Sequence, residues 1–143
     1  MILIAVKKTG NKMYTIEIEP NDNSYKSFLG DIYEEIYIND EFKNKNIIVM
    51  SNPKNFESGL EPNLFVINYS DTPHCKRILF GNTIFLKREN DSFVSLNNKD
   101  IEFISNYIDL ANMSENEKFM ASLLEYTPEE VGIRFNKEKR DTN

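Results

Sequence analysis

A nucleophile beside a base, a metal cage or a pair of carboxylates would each let a chain of this kind do chemistry, and each has few candidates here. The only histidine and the only cysteine stand side by side, His74 and Cys75. An imidazole can hold a thiolate, but the two side chains must lie within hydrogen-bond reach with an oxyanion site nearby. Adjacent residues on an extended segment point to opposite faces, so the sequence assigns no catalytic residue. One Cys and one His also fall short of the ligand set that a zinc site needs. Glycine-rich phosphate loops, nucleophile elbows and His-Glu-x-x-His helices are absent from the sequence. No cofactor or metal is expected, and the chain reads as non-enzymatic.

Carboxylates cluster at Glu34-Glu35, Asp40-Glu41 and Glu129-Glu130. Such pairs can supply an acid and a base or chelate Mg²⁺, although at loop edges and in first helical turns they usually face solvent. Glu34, Glu35, Asp40 and Glu41 are read as an acidic edge suited to a basic partner surface. A second set, Phe56, Asn63, Phe65, Tyr69 and Arg77, falls in a stretch containing Pro and Gly. Its aromatics can stack a planar ligand while Asn63 and Arg77 hold polar edges. The same aromatics would serve equally by folding beneath their own loop.

Charge and composition limit the partners. The 143 residues carry 23 acidic against 17 basic side chains, a formal net charge of −6. Such a field repels a polyanion on average, so direct nucleic-acid binding is not expected. A lone cysteine fits a reducing cytoplasm. The apolar run Met1 to Val6 precedes Lys7-Lys8, the reverse of a signal peptide, and no run approaches the ~20 residues of a membrane span. A cytoplasmic protein without membrane attachment is expected.

The elements that must position these residues follow from periodicity. Residues 2 to 7 and 13 to 19 read as a hairpin around Thr9-Gly10-Asn11. Pro20 to Ser24 is turn chemistry that caps a short helix carrying Tyr25, Phe28 and Leu29, which Gly30 stops. Strands are expected at 34 to 39 and 46 to 51 with a polar loop between them. Residues 52 to 76 read as a long irregular loop around one short segment, Leu64 to Ile67. Strands at 78 to 80 and 83 to 87, split by Gly81-Asn82, are followed by a short extension at Phe93-Val94. Asn97 or Asn98 caps a helix whose stripe is Ile101, Ile104 and Ile108, with Phe103 and Tyr107 beside it.

Beyond it, Ser114 to Glu117 and Thr127 to Glu130 are helix starts. The apolar residues Phe119, Met120, Leu123 and Leu124 there can pack on the domain or pair with a second copy of the chain. The expected fold class is α+β: a mixed, mainly antiparallel sheet of about five or six strands, a short helix packed on it and a helical C-terminus. One domain is expected at 1–112, with its helical extension at 113–137 and a flexible tail at 138–143.

Three short motifs then stand in a particular order. Gly59-Leu60-Glu61-Pro62-Asn63, Gly81-Asn82-Thr83-Ile84-Phe85 and Ser95-Leu96-Asn97 resemble the Gly-Leu-Pro-x-Asn turn, Gly-Thr-hydrophobic strand and Ser-Leu-Thr helix cap of the family catalogued as domain of unknown function 3846. Here Glu61 precedes the proline, Asn82 interrupts Gly-Thr and Asn97 replaces threonine. The resemblance spans residues 1–108 and implies a small protein of a phage, plasmid or other mobile element. With the acidic charge, it implies an accessory protein that binds a host protein and inhibits a host defence component. The alternatives are sequestration of a small nucleotide-like signalling ligand by the 56–69 loop, or a structural or interaction module with no defence role.

Overall fold

The computed structural model describes residues 1–54, 58–68 and 74–111, and only the backbone at 67–68 and 74–77. The expectations for Phe56, Tyr69, Glu129-Glu130, the 113–137 extension and the 138–143 tail lie outside the described residues.

β1 (Ile2–Lys7) pairs antiparallel with β2 (Tyr14–Ile18) in the expected hairpin. β1 is buried at five of its six positions, because both faces of the sheet are covered there. That is why it reads as a continuous apolar run and not as an alternation. Asn21 then caps α1 (Asp22–Leu29) by accepting the Ser24 N–H at 2.9 Å. Gly30, at φ 98°, closes that helix as its spacing predicted.

β3 (Glu34–Ile36) is shorter than the expected strand, and α2 (Asp40–Asn44) replaces the expected polar loop. Asn39 accepts the Phe42 N–H at 3.1 Å and starts the turn, and Phe42, fully buried, anchors it. β4 (Ile47–Ser51) follows, buried throughout. The largest departure comes next. The expected segment Leu64 to Ile67 and strand 78 to 80 lie within two longer strands: β5 (Pro62–Asn68) and β6 (His74–Phe80) replace most of the irregular loop and form a two-stranded antiparallel sheet of their own. Its register slips between Pro62 and Leu64 and again between Val66 and Ile67, so the alternation that would betray a strand is broken.

β7 (Thr83–Glu89), β8 (Ser92–Val94) and α3 (Asn98–Ala111) complete the described chain. The main sheet has six strands in the order β2-β1-β7-β4-β3, with β8 paired to β7, and every pairing is antiparallel. The protein is thus α+β.

One face of this sheet packs Ile4, Val6, Ile48, Met50, Ile84 and Leu86 against Tyr25 and Leu29 of α1. The other packs Ala5, Val49 and Phe85 against α2, α3 and the β5–β6 hairpin. On that side Phe42 meets the rings of Phe103 and Tyr107 at centroid distances of 4.8 and 5.0 Å. Among the described residues, no helix is long and apolar enough to cross a membrane.

Candidate functional site

Two of the sequence motifs converge at one end of the sheet, where Pro62 opens β5 and Gly81 turns β6 into β7. The Gly81 N–H donates to the Glu61 carbonyl at 2.7 Å. Asn63 is fully buried and joins three segments. Its Nδ2 donates to the carbonyls of Lys7 and Gly81, each at 2.9 Å, and its Oδ1 accepts from Lys7 Nζ at 3.1 Å. Lys7 is itself 2% exposed, and its ammonium also donates to the Lys8 carbonyl at 3.0 Å. Asn82 makes a second tie: Oδ1 accepts from Thr9 N–H and Nδ2 donates to the Phe28 carbonyl, both at 3.2 Å. From the third motif, Ser95 Oγ accepts the Leu3 N–H at 2.9 Å. The polar side chains Asn63, Asn82 and Ser95 thus hold the fold together.

Gly81 has φ +77°, and a Cβ there would lie 3.4 Å from a Leu60 methyl group, so the turn is fitted to glycine. A cleft of about 390 Å³ lies beside it, bordered by Thr9, Gly30, Gly59, Leu60 and Asn82 among others. Beneath, register places Lys7, Thr83, Ser51 and Glu34 in one row across four strands. The hydroxyls of Ser51 and Thr83 are buried without a hydrogen-bond partner among the described residues.

Two of the five residues expected to line a ligand loop have described side chains. Asn63 and Phe65 are both fully buried, Asn63 in its ties and Phe65 in the core beneath α3. Neither borders an open groove, because the segment that carries them is a packed strand. The Arg77 backbone pairs with Val66, and Phe56 and Tyr69 lie outside the described residues.

The four acidic residues are near one another in sequence but do not form one patch. Glu34 and Glu35 alternate on β3 and so face opposite sides of the sheet. Glu35 accepts from Arg88 Nη2 at 2.7 Å, and the Arg88 guanidinium lies 4.6 Å from the Phe93 ring centre. Asp40 and Glu41 are exposed in the first turn of α2, where the helix dipole favours negative charge. Glu41 also borders an open groove of about 360 Å³ with Phe103, Asn106 and Tyr107 of α3. The ammonium of Lys45 reaches the Phe103 ring at 5.0 Å from its centre. The sequence pattern sets Phe103 and Tyr107 beside the apolar stripe of this helix and gives Asn106 no role. The available signal was their spacing, since i, i+3 and i+4 share a helix face.

On the other face, the Tyr33 hydroxyl donates to the Asp22 carboxylate. That bond, helped by burial, pushes the Tyr33 pKa up to about 12. Burial also raises the Tyr25 pKa, and Glu35 and Asp22 add to it. Among the described residues, no group of three or more His, Cys, Asp or Glu side chains is placed to share a metal ion. Comparison of the chain with protein-family models, with curated proteins and with solved structures finds no match.

Proposed function

We propose that this chain is a non-enzymatic binding protein that acts through protein–protein contact at its β3–α2 edge, on a partner with a basic surface. The observation that carries this reading is the edge itself. β3 ends the sheet, with β4 on one side and no described strand on the other. Ile32 and Tyr37, which flank it, are 47% and 42% exposed. Exposed large apolar side chains beside an open strand edge, with Asp40 and Glu41 exposed in the helical turn that follows, have the make-up of a recognition surface. An open edge can also take an extended segment of the partner as a further strand.

The resemblance to small proteins of phages and mobile elements makes the partner a host protein, and the function inhibition of a host defence component. An acidic edge suits the basic surface with which such a component would hold nucleic acid. Sequestration of a nucleotide-like ligand draws less support, because Asn63 and Phe65 are both closed off.

The test is affinity capture from a bacterial lysate with the tagged chain and with a variant carrying Asp40→Lys and Glu41→Lys. These two carboxylates are exposed, so their reversal leaves the core intact. The reading expects a stoichiometric basic protein that the native chain retains and the variant releases. Equal retention by both would overturn it.

A further inference from the structure

The α2–α3 groove has a composition that selects one kind of side chain. It offers a carboxylate from Glu41, ring carbons from Phe103 and Tyr107, and an amide from Asn106. Three observations bear on what fits it. Glu41 and Asn106 are exposed while Tyr107 is buried, so the groove has a polar rim over an aromatic floor. The solvent face of α3 carries Glu102, Asn106 and Asp109, one helical turn apart, and adds negative charge beside it. The Phe103 ring, finally, already draws a cation from within the chain, the Lys45 ammonium at 5.0 Å.

We infer that this groove is a receptor for an arginine side chain of the partner protein. The inference rests on the acidic-edge reading above and names the contact within it. A guanidinium meets each wall in its own way. Its plane stacks on an aromatic ring, its fork of N–H donors matches a carboxylate, and the remaining donors reach an amide oxygen. A lysine ammonium, more strongly hydrated and lacking the planar fork, gains less from the same walls. Lys45 is then a competitor, because its charge lies over the ring that the incoming guanidinium would use.

Two opposite mutational effects follow. Glu41→Gln removes the carboxylate but leaves the rings, and weakens arginine binding about two- to fivefold, the range of an exposed ion pair. Lys45→Met frees the ring and removes a like charge, and tightens binding about threefold. A merely structural role for these residues would not move affinity in opposite directions.

The experiment titrates the full chain with an acetylated, amidated tri-arginine peptide, with tri-lysine and tri-citrulline peptides as controls, and follows backbone amide resonances. The expected result is saturable shifts centred on Glu41, Phe103 and Asn106. They should be stronger for arginine than for lysine, absent for citrulline, and altered in the stated directions by the two variants. Shifts spread over other acidic surfaces, equal binding of the arginine and lysine peptides, or an unchanged Glu41→Gln titration would overturn the inference. Asn106→Ala, at an exposed helix position, serves as a second weakening variant. If the groove titration fails while the Asp40 and Glu41 reversals still release a captured basic protein, the groove assignment falls and the edge reading stands. If the peptide binds as expected but the reversals release nothing, the edge reading falls instead.

Discussion

Asn63 shows how a residue can be conspicuous in a sequence and still be misjudged. Its place after a proline in a turn marks it as special, and an asparagine near aromatics suggests a ligand contact. The structure gives it three hydrogen bonds, two of them to Lys7, 56 residues away in the chain. Nothing local announces a partner at that separation, so the residue was legible as important but not as a tie. Asn63→Ala would leave the carbonyls of Lys7 and Gly81 without their donor in a buried setting. Each unsatisfied buried group costs about 1–3 kcal/mol, so the two carbonyls together should cost the variant about 2–6 kcal/mol of stability in urea unfolding. A loss below about 1 kcal/mol would show that the strand end relaxes to satisfy itself. The groove residues were obscured in a different way: Phe103 and Tyr107 look like core because Tyr107 is core, its hydroxyl donating to the Phe65 carbonyl at 2.7 Å.

Elements with local signals were legible. The first hairpin joins a continuous apolar run to an alternating stretch at 13 to 19, α1 has its Asn21 cap and Gly30 stop, and α3 opens with Asn97, whose side chain accepts the Asp100 N–H at 2.9 Å while Asp100 accepts the Asn97 N–H in return. The β5–β6 hairpin was legible only in part, as the Leu64 to Ile67 segment and the strand at 78 to 80, because two register slips break its period and its pairing is fixed by packing under α3. α2 was missed because five residues are too few for a helical period to show, and the element exists through its cap and one aromatic. That dependence makes a prediction. Phe42 is fully buried among Phe85, Phe103 and Tyr107, so Phe42→Ala should cost about 3–5 kcal/mol. It should also abolish arginine-peptide binding, because α2 no longer holds Glu41 against α3. Glu41→Gln, by contrast, should leave the urea midpoint nearly unchanged. Full peptide binding in a folded Phe42→Ala protein would show that the groove does not depend on α2 docking.

At the scale of the whole molecule, two apolar cores share one sheet, and charge decides how that assembly responds to pH. The chain carries a net charge of −6 near neutrality, so each further proton lost at high pH adds to self-repulsion. Tyr33 gives that response a defined place. Its ordinary pKa of 10.0 is pushed up to about 12, chiefly by the hydrogen bond to Asp22. The folded chain therefore holds the Tyr33 proton after the unfolded chain has released it. The contribution to stability is complete below pH 10.0 and is lost as pH rises toward about 12. Tyr25, whose pKa is raised by burial, acts in the same direction. Tyr33→Phe removes one of these two terms, so its urea midpoint should fall less steeply across that interval than that of the native chain. The tyrosinate absorbance titration should also lose a late component, leaving earlier ones in place. An identical slope and an identical late component in the variant would mean that the bond to Asp22 does not hold the Tyr33 proton in solution. The alkaline loss would then belong to general charge repulsion, and raised ionic strength should suppress it in both proteins alike.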